Sequence, residues 1–588
     1  MKRTIRLLAL LLVLAMSFSV IAGCSSSSDN KSEATEAPST KADTQPSDAS
    51  EPSQPSEPEG DGKVKGSITV MTYDRGNMPT SEGTLNDNRW TTWIRENAPV
   101  EEINWVAIPK AEAPETMSAQ FAGGTAPDLL PNYESLLPFA QNGMCMEITD
   151  EMLAKMPNYS AMLEAYPMME KSSSVDGKRL FFCKFSNILP NHTIVIRQDW
   201  LDNLGLDLPE TPEDLYNIIY AFTYSDPDGN GVNDTWGINM TTDAQRVLAH
   251  MFGFGNPCKY DFDENGELYY VWDRIESWLG YVKQIVDNKC VNPDFVTMKG
   301  DDDQADFLSG KIGIYCSGRF CNANRLTLFR NFKTNFPDAT LNTFALPESQ
   351  YGKYTGYLNG GSSNVGFINA DLDPEKLDAV LAFSDWLYDP EVSEYLFYGA
   401  DGDYYKKDEY GTYAIVNQEK MDTEFTYASD YSIMKNELLY GSEENIDVHA
   451  NDWYNQYLTS DDPILWEFGD LYYKMCVIAN EPGVNDPRKW QNDGLPQLDT
   501  ALSLINTADT EVNNILKAAI SNSGITAAQA VQDAKDAWYN AGGQQVDDYY
   551  KEYYKTAGDS ALLASDFTNA KSMPVMTEAA KKNSKLFN

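Results

Sequence analysis

The stretch Asp226-Pro-Asp-Gly-Asn-Gly-Val-Asn-Asp234 carries the residue types and spacing that most directly specify chemistry. With Asp226 at loop position one, Asp228 stands at three, Asn230 at five and Asp234 at nine, with Gly231 at six. Side-chain oxygens in that register converge on a hard cation, and the glycine permits the sharp turn between them. Val232, at seven, would add its backbone carbonyl. Position twelve, where a bidentate glutamate normally closes a calcium loop, is Gly237, so the last ligand must come from elsewhere in the fold. The pattern predicts a structural Ca2+ site, with a solvated Asp/Gly turn after a helix as the alternative. The loop holds no nucleophile or base.

Other chemistries have less to draw on. The chain has three histidines, His192, His250 and His449, too few for a His-rich metal site and a poor basis for a catalytic triad. Cys24 aside, the cysteines are Cys145, Cys183, Cys258, Cys290, Cys316, Cys321 and Cys476. Their number is odd, their spacing is scattered and no Cys-x-x-Cys occurs, so neither a disulfide framework nor a zinc site is indicated. They read as small buried hydrophobes. The net charge is −43, from 45 basic and 88 acidic residues, which argues against nucleic acid as a partner. A strongly anionic ligand would need a local basic cluster to overcome that field. Aromatics make up 12% of the chain, including 34 Tyr and 12 Trp, which suits stacking on the apolar faces of sugars.

The elements that must position these residues alternate between strand and helix. Ser67–Met71 reads as a buried strand leading into Thr72-Tyr73-Asp74-Arg75-Gly76. A helix capped near Asp87-Asn88 follows, then a strand over 103–108 and a helix ending at Gly123-Gly124. Ala126–Leu130 is a further strand ending in Pro131-Asn132-Tyr133. This alternation predicts an α/β layer with a mainly parallel sheet, whose ligands lie beyond the carboxyl ends of the strands. That rule points to Tyr73, Asp74, Arg75 and Tyr133. Pro212 opens a helix with Leu215, Ile218, Ile219 and Phe222 on one face, and the calcium-like loop follows it. Asp263-Glu-Asn-Gly266 reads as a hairpin turn. Past residue 410 the chain is Tyr- and Asp-rich and then helical, and 559–588 has no assigned role.

Residues 1–23 read as a signal peptide: basic Lys2, Arg3 and Arg6, then an apolar run from Leu7 to Val20 too short to span a membrane. Ile21-Ala22-Gly23-Cys24 resembles the bacterial lipobox, which implies cleavage before Cys24 and acylation of its thiol by palmitate-type chains. Residues 24–63 are Ser, Pro, Glu, Asp, Thr and Ala with few large apolar side chains, the composition of a disordered tether.

Arg197-Gln-Asp-Trp-Leu-Asp-Asn-Leu-Gly-Leu206 and Pro209-Glu-Thr-Pro-Glu-Asp-Leu215 resemble segments of the family 1 extracellular solute-binding proteins of bacterial ABC importers, in their large lipoprotein branch. Ala122-Gly-Gly-Thr-Ala-Pro-Asp-Leu129, Ser309-Gly-Lys-Ile-Gly313, Asp385-Trp-Leu-Tyr-Asp-Pro390 and Tyr398-Gly-Ala-Asp-Gly-Asp403 match further elements in the family's order. The calcium-like loop also recurs in that branch. The resemblance implies a two-lobe, type II periplasmic-binding-protein-like α/β fold with a ligand cleft between the lobes and a helical C-terminal part. Lobe one would comprise 64–186 plus 354–392, and lobe two 187–353 plus 393–588. A solute, an oligosaccharide first, would be trapped by lobe closure and passed to membrane permeases. The family's contacts fall on Tyr73, Asp74, Arg75, Asn88 and Tyr133 in the first lobe and on Arg319 and Phe320 in the second. Gly360 and Ser362 lie on the returning strand, and Trp453 and Trp466 come from the C-terminal part. Ser-Gly-Arg-Phe replaces the Gly-x-Trp of many sugar binders. The expected molecule is a monomer, not an enzyme, held by its lipid on the outer face of the cytoplasmic membrane. A secreted glycan hydrolase, needing two carboxylates at a fixed separation, and a non-transport surface glycan receptor are the alternatives.

Overall fold

The strands of the two main sheets, in chain order, are β1 (Val64–Asp74), β2 (Val100–Pro109), β3 (Leu129–Pro131), β4 (Phe182–Pro190), β5 (His192–Arg197), β6 (Trp236–Ile238), β7 (Ile312–Gly318), β8 (Leu341–Asn342) and β9 (Leu358–Ile368). The helices around them include α1 (Arg89–Asn97), α2 (Met168–Ser173), α3 (Pro212–Tyr224), α4 (Thr242–Met251), α5 (Trp272–Asp287), α6 (Pro463–Asn480), α7 (Asp499–Ser521), α8 (Ala527–Asn540) and α9 (Gly543–Ala557). The structure, a computed structural model, describes residues 63–587 except 191, 256–258, 299–301, 319–322, 357, 401, 408–412, 436–452, 482–498, 564–565 and 567–572. It gives the backbone alone at 186–189, 192 and 358–362, among others. The expected leader (1–23), Cys24 and the expected tether of 24–63, save its last residue, lie outside the described residues.

The first sheet has the order β2-β1-β3-β9-β4. β1 runs parallel to β2, in register from Ile68 opposite Ile103 to Asp74 opposite Pro109, and parallel to β3 at Val70 and Leu129. β9 enters antiparallel between β3 and β4. The second sheet, β8-β5-β7-β6, is also mixed: only β6 and β7 are parallel. A mainly parallel layer is therefore not what forms. The reason is the path of the chain, which leaves the first sheet along β4, passes into β5 after one residue, and later returns as β9 from that same end.

Each sheet buries what its pattern demands. In β5, Ile194 and Ile196 face one core, with Trp200, Phe222 and Ile314, while Val195 faces another with Tyr315, Phe329 and Phe332. A Thr-Ile-Val-Ile run suits a strand covered on both sides. Gly313 lies where a Cβ would overlap the Phe222 ring, which explains the second glycine of the Gly-Lys-x-Gly element. α3 begins at Thr211, whose hydroxyl accepts from the Asp214 amide while the Asp214 carboxylate accepts from the Thr211 amide. α7, α8 and α9 add Val512, Trp538 and Val546 to the second core. Lys283 on α5 donates to the carbonyls of Ala519 and Asn522 at 2.9 and 2.8 Å, closing the C-terminal end of α7.

The division expected at residue 393 differs from the packing. Leu396, Tyr404, Tyr427, Tyr431 and Met434 join the first core, because the chain crosses back over β1 and α1 before it builds the C-terminal helices. The described cysteines, Cys145, Cys183, Cys290, Cys316 and Cys476, are buried and form no disulfide with one another. No helix among the described residues is long and apolar enough to cross a membrane.

Candidate functional site

The carboxyl ends of β1, β2 and β3 share the edge from which β4 leaves for the second sheet, and a compact shelf forms there. Tyr73, at the end of β1, is buried. Its hydroxyl donates to Glu134 Oε1 at 3.0 Å and accepts from the Tyr133 amide at 2.9 Å. Burial, reinforced by the Glu134 charge, pushes the phenol well above its usual pKa, so it remains a hydrogen-bond donor. The Tyr133 ring stacks on Tyr73, with centroids 6.3 Å apart and planes 14° from parallel, and Tyr133 stays 45% exposed. Lys110 Nζ lies 4.7 Å from the Tyr73 centroid and pairs with Glu134. Lys184 Nζ lies 5.8 Å from the Tyr133 centroid.

Arg75 closes the shelf on its other side. Its guanidinium donates from Nε to Asp430 Oδ2 at 2.7 Å and from Nη2 to Oδ1 at 2.9 Å, and its Cζ sits 5.3 Å from the Tyr73 centroid. The bond to Asp430 raises the arginine pKa further. Asp430 is held by the turn Ala428–Tyr431. The Asp430 carbonyl accepts from Thr72 Oγ1 at 3.1 Å, and the Tyr431 hydroxyl donates to Leu85 O and accepts from Asn88 Nδ2. Burial pushes the Tyr431 phenol up to about 12.

On the second sheet the corresponding edge is organised through backbone. Asn239 Oδ1 accepts from the Cys316 amide at 2.8 Å, and Asp243 Oδ2 accepts from the Gly318 amide at 2.8 Å. Beneath them Asp303, buried and raised in pKa by that burial, accepts from Asn239 and from Thr241 Oγ1. These bonds fix the end of β7, from which Arg319 and Phe320 follow outside the described residues.

The remaining sequence candidates fall in varied places. Asp74 is exposed, and its carboxylate accepts from the Gly76 amide at 2.9 Å. Asn88 is buried as the cap of α1, its Oδ1 accepting from the Trp90 and Thr91 amides and its Nδ2 donating to Thr84 O. Gly360 and Ser362 lie in β9, with Ser362 paired to Phe185 across the sheet. Trp453 opens a short helix, 43% exposed. Trp466 donates to Ser460 O at 2.6 Å and packs with Leu458 and Met576, in the anchorage of the C-terminal tail. Four shelf residues were missed from sequence: Lys110, Glu134, Lys184 and Asp430. Carrying the carboxyl-end rule to β2 would have reached Lys110, whereas Asp430 is 355 positions from its arginine and has no local signature.

The Asp226 loop folds as the turn expected of it. Asp226 Oδ1 and Oδ2 accept from the amides of Asn230 and Gly231 at 3.0 and 2.9 Å, and Asn230 Oδ1 accepts from the Val232 amide at 2.7 Å. Burial, with Asp226 and Asp234 nearby, raises the Asp228 pKa, a crowding that a cation would relieve. The Lys311 ammonium engages Asp234 and lowers its pKa, and Asn230 Nδ2 donates to both Asp228 and Asp234. Gly237 cannot be replaced by a twelfth-position ligand, because any Cβ there would overlap Ile219 O. Among the described residues no group of three or more His, Cys, Asp or Glu side chains is arranged to hold an ion. The donors that the sequence offers there are the carboxylates of Asp226, Asp228 and Asp234, the Asn230 amide oxygen and the Val232 carbonyl.

Two α/β sheets joined by short crossovers, with an aromatic shelf at the edge where the chain passes between them, define a two-lobe binding protein. The chain belongs to the bacterial extracellular solute-binding proteins, whose family model matches residues 96–394. It is 28% identical over 426 residues to the polygalacturonan/rhamnogalacturonan-binding protein YtcQ of Bacillus subtilis, covering 71% of this chain and 77% of that one. Among solved structures it resembles an HMO-binding, ABC-transporter-associated solute-binding protein from Bifidobacterium longum infantis, with TM-score 0.62, 17% identity, 87% of this chain and 100% of that one. It also resembles the Streptococcus pneumoniae ABC-transporter substrate-binding protein FusA in complex with kestose, with TM-score 0.56, 17% identity, 84% of this chain and 99% of that one. At these identities the structural likeness is one of fold.

Proposed function

We propose that this chain is the substrate-binding component of an ABC importer, capturing an oligosaccharide between its lobes and presenting it to membrane permeases. The observation that carries the reading is the half-exposed Tyr133 ring stacked on buried Tyr73 at the crossover edge. An aromatic face suits the C–H face of a pyranose, while Arg75, Lys110 and Glu134 around it offer fixed donors and acceptors for hydroxyls. YtcQ, FusA and the Bifidobacterium protein are named for binding glycans, which supports the same class of cargo. YtcQ is named for binding polygalacturonan and rhamnogalacturonan, which favours a uronate-bearing oligosaccharide over a neutral one.

The shelf is a binding device and not a catalytic one. Its two carboxylates, Glu134 and Asp430, are each engaged by a cation. Cys24 would anchor the monomeric protein on the outer face of the cytoplasmic membrane. The Asp226 loop would hold a structural Ca2+, a reading supported by its turn geometry and by the EF-hand mutant named for FusA. Isothermal titration with trigalacturonate and with kestose tests the cargo: binding by the first exceeding the second is expected. Heat from neither, or cleavage of either, would overturn the reading.

A further inference from the structure

α9 belongs to the second core: Val546 is fully buried there, and Tyr550, Tyr553 and Tyr554 pack against it. Immediately beyond its end the chain changes sides. Leu562 is part of the first core, while its neighbour Leu563 packs on the second. The position is locked by Lys171 on α2, whose Nζ donates to Asp566 Oδ1 and Oδ2 at 3.0 and 3.2 Å and to Ala561 O at 3.3 Å. Asp566 Oδ2 in turn accepts from the Leu563 amide at 2.8 Å. Farther along, the chain is fastened to the C-terminal helices. Asn455 donates to Val575 O and accepts from the Thr577 amide, both at 3.0 Å, and Asp470 accepts from the Lys585 amide at 2.8 Å.

From these contacts we infer that the segment around Leu562 is a bolt between the lobes, restraining their relative motion independently of cargo. Adjacent residues packed on two different cores, Leu562 buried in one and Leu563 half-buried on the other, cannot both keep their contacts if the cores separate. From Ala557 to Leu562 the chain can extend to only about 17 Å. Between α9 and the first lobe a cavity of about 380 Å³ lies beside the bolt, lined by Glu170, Lys171, Asp176, Tyr553 and Thr556. The bolt thus biases the open–closed equilibrium that a hinged receptor uses.

The test uses the full mature chain without any sugar, so its outcome is separate from that of the cargo assignment. Asp566→Asn and Lys171→Met remove the lock, and Leu562→Ala removes the buried anchor. Small-angle scattering should show a larger radius of gyration for all three than for the parent. Hydrogen exchange of 170–177 and 558–563 should quicken roughly three- to tenfold in the two lock variants, with the α5 and β1 amides unchanged. If Leu562→Ala fails to fold, the two lock variants decide the matter. Unchanged scattering and exchange in both would overturn the inference, as would exchange that rises equally throughout both lobes.

Discussion

The shelf at Tyr133 and the loop at Asp226, two candidate ligand sites among the described residues, are built in opposite ways. The loop takes its oxygens from nine consecutive residues, Asp226 to Asp234, and its shape from hydrogen bonds within them. The shelf takes Tyr73, Lys110, Glu134, Lys184 and Asp430 from five segments and depends on the packing of 396–434 over β1. A local site can form before the surrounding fold and tolerates imperfect neighbours. A composite site exists only in the finished lobe, so its damage and the damage to the lobe are coupled.

The largest effect should come from restoring the missing loop ligand. Gly237→Glu completes the calcium pattern on paper, yet its Cβ must displace the Ile219 carbonyl. A loss of about 3 kcal/mol or more in denaturant unfolding is expected, with no gain in calcium affinity. A variant that is stable and binds calcium more tightly would show the loop to be as independent of its surroundings as its sequence suggests. Arg75→Met should follow, at about 2–3 kcal/mol of stability, since it leaves the nearly buried Asp430 carboxylate without its partner. Double replacement with Asp430→Leu should recover part of that loss.

Tyr133→Ala separates binding from folding. Its ring is half-exposed, so the melting temperature should hardly move, while titration with trigalacturonate weakens roughly tenfold or more. Equal affinity would mean that cargo bypasses the shelf. The smallest effect concerns pH. A carboxyl such as Asp228, whose folded pKa is raised, favours the fold below its unfolded pKa and loses that contribution as pH rises through the folded value. Calcium would relieve that loss, so the melting shift produced by added calcium should grow between about pH 4 and pH 7. A shift that is constant across that range argues for the plain turn.

The same contrast explains what was legible in the sequence. The Asp226 turn, the Asn88 cap and the Asp263–Gly266 hairpin are set by neighbours a few residues apart, and each stands where its pattern placed it, whereas the strand expected at 126–130 forms only over Leu129–Pro131. The shelf was half visible. Tyr73, Arg75 and Tyr133 follow from the rule about carboxyl ends, but their partners Asp430 and Lys184 follow from tertiary packing alone. The family resemblance implies a contact at Asn88, whose amide is engaged at both ends as the cap of α1. The antiparallel β9 was hidden for a related reason, since strand direction depends on where a crossover re-enters the sheet.

The buried cysteines have one more use. Cys145 and Cys183 sit in the first core, Cys290 and Cys316 in the second, and Cys476 in the cluster beneath α6. Burial pushes the Cys145 and Cys316 thiols far above their ordinary values, which makes them inert once enclosed. In a chain refolding from denaturant, each sulfur remains open to a maleimide only until its own compartment seals. Pulse alkylation read by mass spectrometry would therefore time the consolidation of each compartment separately, using only the side chains the protein already carries.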